Sequence, residues 1–214
     1  MVENTTSFGL DKYEIIEERG IQYGFTKLYR IRALKDFADV KKGDIGGYVE
    51  HTGNLSQCRN CWIYDNAIVL GNARVEGNAT VRNYGIVEGH ARICGHSSVS
   101  ELAMVKDNVT VDGFVEIKGN TLVLGNIRLY GDAVIRDMSD YIVFKNWWSS
   151  GRFFTWTRSN NMWSVGCFYG TGEELIDKAY KDSELSGREY ERVVKYVESI
   201  LNMEDEIYNK RQYN

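Results

Sequence analysis

Few side chains in the sequence have the type and spacing that chemistry requires. There are three histidines, His51, His90 and His96. A histidine acting as general base needs a partner that orients it and a pocket that admits substrate. The sequence around these three reveals neither. Cys58-Arg59-Asn60-Cys61 is a single CxxC pair. A zinc ribbon needs a second such pair, and a tetrahedral site needs convergent ligands. Gly170-Thr171-Gly172 precedes a helical pattern, where backbone N–H groups could hold a phosphate. It lacks the lysine and the spacing of a P-loop, so Thr171 is expected to act as an N-cap. No catalytic residue, metal site or cofactor is expected from these motifs.

Composition narrows the classes further. The chain has 214 residues and a net charge of −4, which gives no general reason to expect nucleic-acid binding. It has four cysteines, too few for a disulfide framework, and no proline. No stretch approaches the roughly 18 apolar residues of a membrane span. The opening MVENTTSFGLDKYEIIEE is polar and acidic, unlike a secretory signal. A cytoplasmic protein with no membrane association is expected.

The elements that must position any site follow from a repeat. Written in sixes from Asn60, the chain reads NCWIYD, NAIVLG, NARVEG, NATVRN, YGIVEG, HARICG, HSSVSE, LAMVKD, NVTVDG, FVEIKG, NTLVLG, NIRLYG, DAVIRD. The fourth position is aliphatic in all thirteen hexads, from Ile63 to Ile135. The second is mostly small (Cys61, Ala67, Ala73, Ala79). The sixth is Gly, Asn or Asp in every hexad but the one ending at Glu101, and those types tolerate a positive φ. Positions two and four point the same way on a strand. Each hexad is therefore a short strand ending at a corner, and three hexads make one turn of a triangular solenoid filled by aliphatic ladders. The predicted fold is mainly β: a single-stranded triangular β-helix between two caps.

Val69 with Ala73, Val75 with Ala79 and Val87 with Ala91 make residues 60–137 resemble the hexapeptide-repeat, left-handed β-helix proteins. The left hand is implied by that resemblance alone; a right-handed, bactofilin-like helix is the alternative. Many proteins of the class are acyltransferases, with a histidine base and a coenzyme A groove between neighbouring prisms. Others are zinc carbonic anhydrases that gather three histidines on one metal. In this register His90 and His96 follow corners on different faces, and no loop leaves the thirteen hexads to carry a base toward substrate. Both are expected to be solvated corner residues.

The flanks have patterns of their own. Residues 1–47 form an N-terminal β cap with strands at 12–18 and 26–34, expected to cover the open edge of the solenoid. Residues 48–137 are the β-helix. Its first coil, 48–59, is irregular, since the hexad frame would put Gln57 and His51 inside. Residues 138–214 form an α+β cap. In it 152–158 and 162–170 pair as one hairpin, Thr171/Glu174 and Ser186/Glu189 are capping boxes of two helices, and Trp147, Trp148, Trp156 and Trp163 are the expected core. Tyr190, Val193, Val194, Val197, Ile200 and Leu201 form one stripe of the last helix. LYRIRALKDFADVKKGDIGGYVE (28–50) and RFFTWTRSNNMWSVGCFYGTGEELIDKAY (152–180) resemble segments that bracket such hexads in uncharacterised phage and prophage proteins. That resemblance implies a bacterial-cell setting and brings no catalytic residues.

The outward positions carry the functional expectation. Ile68, Ile86, Met104 and Leu122 recur every 18 residues on the first face, widened by Leu70, Leu102 and Leu124. Such a stripe marks an interface or a surface covered by the chain itself. Arg74, Arg92 and Arg128 line the second face, a weaker basic surface with Glu76 and Asp112 beside it. The expected function is a non-catalytic binding module for a protein partner, such as a host defence factor, with homo-oligomerisation an open alternative. The rival is an acyltransferase-like enzyme using coenzyme A thioesters.

Overall fold

In a computed structural model, residues 11–212 are described, with side chains through Met203. The chain divides into two compact units. One holds the residues up to Ile142 with Thr157–Asn160; the other holds Val143–Trp156 with the residues from Asn161 onward.

The first unit is a β-solenoid. Each hexad contributes a two-residue strand, from Trp62–Ile63 to Val134–Ile135. Each strand pairs in parallel with the one a full turn later. On the first face Ile68 lies opposite Ile86, Ile86 opposite Met104, and Met104 opposite Leu122. The second face runs Arg74, Arg92, Thr110, Arg128. The third runs Trp62, Thr80, Ser98, Glu116, Val134. All thirteen fourth-position aliphatic residues have 0% exposure. Full burial of such a side chain stabilises by about 1.5–3 kcal/mol.

Corners are made as the composition predicts, with one instructive addition. Every sixth-position residue from Asp65 to Gly131 has positive φ, and Glu101 shares it at 61°. The reason lies in the column of corner side chains. Asn83 N–H donates to Asp65 Oδ2 at 2.9 Å, Glu101 N–H to Asn83 Oδ1 at 3.2 Å, and Gly119 N–H to Glu101 Oε2 at 3.0 Å. Each acidic or amide corner thus satisfies the backbone of the corner one coil on, which offsets the roughly 1–2 kcal/mol cost of the left-handed conformation.

The first coil departs from the expected register. Its inward aliphatic residues are Val49 and Leu55, not His51 and Gln57, because the loop 56–61 holds two residues more than a hexad allows. Val49 pairs opposite Val69, and Leu55 bridges to Val75. His51 instead caps the short 3-10 turn Thr52–Asn54. Gln57 Oε1 accepts from the N–H groups of Lys12 and Tyr13. Asn54 is completely buried and fully satisfied: it accepts from Glu50 and His51 N–H and donates to Gly71 and Ala73 carbonyls.

Strands β1 (Tyr13–Tyr23) and β2 (Thr26–Ala33) are antiparallel, and β2 pairs with β3 (Ile45–Val49), so all three extend the first face of the solenoid. Gly46 and Gly47 of β3 are required by close approach. A Cβ there would lie 2.6 Å from Ile31 Cγ1 and 2.5 Å from the Ala67 carbonyl oxygen. The outermost strand, β1, carries Glu17, Glu18 and Arg19 at a break in register, which blunts it against further pairing. At the far end, Val134 N–H donates to Ser159 Oγ and Asn160 Nδ2 to Asp132 Oδ1.

Later in the chain, four strands form a sheet in the order Tyr141–Lys145, Phe153–Thr157, Met162–Val165, Phe168–Gly170. The segment 162–170, expected to be one strand, is itself a hairpin, turning at Gly166 with φ 59°. The helices are α1 (Gly172–Asp182) and α2 (Glu184–Gln212). Thr171 and Glu174 form the expected capping box. At α2 the first turn is capped by Ser183, whose Oγ accepts from Ser186 N–H. Ser186 lies inside the helix, since its neighbour Ser183 already sits at cap spacing. The C-terminal core gathers Phe154, Trp156, Trp163, Tyr190, Val194 and Val197, all buried. Trp148 packs edge-on against Phe154 and Tyr190, but Trp147 is 75% exposed. Adjacent residues in that turn cannot both face inward. Among the described residues, no helix is long and apolar enough to cross a membrane.

Val87→Asp should not fold, because a lone carboxylate inside the ladder costs several kcal/mol, a large share of a typical 5–15 kcal/mol stability. Arg92→Ala, on the exposed side of the next strand, should shift the melting point by only a few degrees. Thermal denaturation followed by circular dichroism separates the two; wild-type melting of Val87→Asp would contradict this register.

Candidate functional site

The candidate surfaces are set by parity. Position three of a hexad points out on the strand, and position five points out as the chain leaves it. On the first face, position three begins at Tyr48 of β3, which pairs with Ile68, and continues through Ile86 and Met104 to Leu122. Five uncharged side chains therefore stand in one column about 19 Å long at the 4.8 Å strand spacing. Ile68 is buried, while Ile86, Met104 and Leu122 are half-buried.

The position-five column beside it is different. It runs from Glu50, whose Oε2 accepts from Gly71 N–H, through Leu70, Glu88 and Lys106 to Leu124, and its middle is an ion pair, Lys106 Nζ to Glu88 Oε1 at 2.7 Å. Leu124 is 45% exposed and Leu70 half-buried. The stripe is thus narrower at its centre than the sequence pattern alone conveys. Leu102 and Tyr84 occupy the adjoining corner and are exposed, which restores apolar width there. Part of the face meets the chain's own β cap. Arg30 stacks its guanidinium 4.0 Å above the Tyr48 ring. The Lys106 pKa is raised by its hydrogen bond to Glu88, with a smaller contribution from the nearby Tyr23 phenol of β1.

The second face is a mixed surface. Arg74, Arg92 and Arg128 are exposed, but Arg92 is ion-paired with Glu76, and Arg128 approaches the Tyr130 hydroxyl at 3.5 Å. A shallow groove of about 500 Å³ opens along it, touching Cys58, Arg92, Cys94, His96 and Asp112. Cys94 donates from Sγ to the Val111 carbonyl at 3.2 Å. Burial, reinforced by the Asp112 carboxylate, pushes its thiol up to about 11. It is therefore protonated, and a weak nucleophile, near neutral pH.

The three histidines have separate roles. His51 accepts from Gly53 N–H at Nδ1, which leaves Nε2 to donate to the Gly71 carbonyl. Both ring nitrogens are used in holding the first coil. His90 is exposed on its corner. His96 belongs to a stacked corner column. Asn78 Nδ2 donates to its Nε2 at 3.1 Å, and its ring lies parallel to Phe114 with centroids 5.0 Å apart. Among the described residues, no group of three or more His, Cys, Asp or Glu side chains is arranged to hold a metal ion. Cys58 is exposed and Cys61 buried.

One buried polar pair gave no signal in the sequence. Lys12 is 1% exposed, and its Nζ donates to the Cys61 carbonyl at 2.8 Å and to Cys61 Sγ at 3.2 Å. Burial lowers the Lys12 pKa and raises that of Cys61. The lysine lies outside the repeat, so no periodicity could link it to Cys61.

No family model matches the chain. An uncharacterized acetyltransferase, YdcK of Escherichia coli (strain K12), is 44% identical over 68 residues, which cover 28% of this chain and 21% of that protein. The chain thus matches about a fifth of that relative's length. A match of this extent fits a β-solenoid of the hexapeptide-repeat type.

Because Cys94 is held protonated, its alkylation by iodoacetamide should keep rising with pH and level off only near about 11. Asp112→Asn removes a charge that disfavours the thiolate, so the levelling-off should move to lower pH. Peptide mapping after timed labelling reads both. A rate that already levels off near the ordinary thiol value of about 8.5 would contradict this environment.

Proposed function

We propose that the protein is a rigid, non-catalytic binding module that presents the first face of its solenoid to a protein partner. The observation that carries this reading is the uncharged outward column Tyr48, Ile68, Ile86, Met104 and Leu122, in strands paired directly with one another. A column on paired strands is preorganised, so little conformational entropy is lost when it is covered. Leu102, Leu124 and Tyr84 beside it are well exposed and could form the rim of the same contact. On the second and third faces the corresponding columns are interrupted by Arg74, Arg92 and Arg128 or by Thr80, Ser98 and Glu116, which favour solvent. The phage-type flanks support a host-cell protein, such as a defence factor, as the partner, and the host cytoplasm as the setting. A second copy of the chain would use the same column.

A second reading, an acyltransferase-like enzyme, draws on the match to the acetyltransferase and on His96 at the edge of the second-face groove. Against it stands the engagement of His96, whose Nε2 is hydrogen-bonded to the Asn78 amide and whose ring is stacked on Phe114.

Ile86→Glu with Met104→Glu should leave the ladder folded and abolish partner capture from a bacterial lysate, or lower the mass by light scattering if the partner is a second copy. Unchanged capture, mass and melting would refute the interface. His90→Asn with His96→Asn should retain full biological activity. Loss of activity in that folded variant, together with a melting shift on adding coenzyme A, would favour the enzyme.

A further inference from the structure

The C-terminal unit contains a cavity that plays no part in the reading above. It has a volume of about 410 Å³ and opens between the hairpin at 162–170 and the junction of α1 with α2. That is within the range of small-molecule sites, about 300–1,000 Å³. Three parts of the chain supply its polar groups. Asn146 and Arg152 flank the turn between two sheet strands, Lys178 and Asp182 come from α1, and Tyr190 comes from α2.

Two of these groups are deeply buried yet have hydrogen-bonding capacity to spare. Tyr190 is 8% exposed and Asn146 4%. Asn146 Nδ2 donates to the Tyr190 hydroxyl at 3.1 Å, while Asn146 Oδ1 accepts from Ser149 N–H at 2.9 Å. The tyrosine oxygen is thus an acceptor in that bond, and its own O–H proton remains available to donate. Arg152 and Asp182 both lie near enough to act on the Tyr190 hydroxyl electrostatically, in opposite directions.

The charges around it favour an anion. Arg152 and Lys178 together outweigh Asp182. Among the described residues, neither cation is held in an ion pair, and Lys178 Nζ rests 5.4 Å from the centre of the Phe168 ring. Phe168 and Leu175 provide an apolar wall beside these donors.

We propose that this cavity binds a small organic anion. Its carboxylate or phosphate group meets Arg152, Lys178 and the Tyr190 hydroxyl, and its apolar part lies against Phe168 and Leu175. Asp182 sets a limit on ligand charge, since it repels a second anionic group.

Cys167 reports occupancy directly, because it is exposed and lines the same cavity. Its alkylation by N-ethylmaleimide is followed by peptide mapping, with exposed Cys58 in the solenoid as internal control. Inorganic phosphate and butyrate are the probes, each against chloride at matched ionic strength. At saturation, at least one should slow Cys167 labelling several-fold and leave Cys58 unchanged; which one does so distinguishes phosphate from carboxylate. Arg152→Gln with Lys178→Gln should abolish the protection. Both side chains are exposed, so the variant should retain its melting point. Asp182→Asn should lower the concentration needed for protection. No protection by either probe, equal slowing at Cys58, or protection that persists in the double variant would overturn the proposal.

Discussion

The whole solenoid depends on one constraint: each coil must pass its backbone hydrogen bonds to the next without losing step. Ile68 N–H donates to the Gly85 carbonyl, Ile86 to Ala103 and Met104 to Thr121, each a turn ahead. With two-residue strands there is no long ladder to enforce that register. It is enforced at the corners, where one residue per hexad takes positive φ. Glycine meets this requirement without a side chain. At Gly113 nothing else fits, since a Cβ would lie 2.5 Å from the Gly131 carbonyl oxygen. Where Asp, Asn or Glu stands instead, the side chain returns the cost by accepting a backbone N–H from the neighbouring coil. The corner column Asp65, Asn83, Glu101 is therefore structural, and its charges are no sign of a binding site.

The same constraint explains why the repeat was legible and its beginning was not. From Ile63 to Ile135 every inward aliphatic position follows from counting in sixes, because core and corner share one period. The first coil breaks the count by two residues. Its closure then depends on long-range polar contacts: Asn54 to Gly71 and Ala73, Gln57 to Lys12 and Tyr13, Lys12 to Cys61. None has a periodic signature. Polar burial there is tolerable because Asn54 is fully hydrogen-bonded. Within the ladder, by contrast, the Ser97 and Thr121 hydroxyls are buried without partners, a local cost the aliphatic neighbours must offset.

The C-terminal unit was readable at the level of elements and less so in detail. Thr171 and Glu174 announced a helix start because a capping box is local. Trp147 and Trp148 could not be sorted by pattern, since only tertiary packing on Phe154 and Tyr190 decides which faces in. The cavity residues Asn146, Arg152 and Tyr190 come from separate elements, and no spacing in the sequence joins them.

Outward positions are where the fold leaves the sequence free, and the three faces use that freedom differently. On the second and third faces, outward side chains interact with one another: Arg92 with Glu76, Lys118 with Glu116, and Arg82 over the Tyr64 ring at 3.9 Å. Exposed ion pairs of this kind are each worth about 0–1 kcal/mol, so they matter more for solubility than for stability. On the first face Glu88 and Lys106 pair in the same way, but position three holds Ile86, Met104 and Leu122, which make no polar contact with each other. These residues lie outside the ladder, so they add nothing to the interior packing that holds the coils together. Their transfer free energy, about 1.5–3 kcal/mol per fully buried side chain, is realised only when something covers them. Within one chain, β2 meets the column at Tyr48, and the end of β1 at Tyr23 comes near Lys106 beside Met104. Toward Leu102 and Leu124, where the apolar surface is most exposed, the remaining gain is available to a partner.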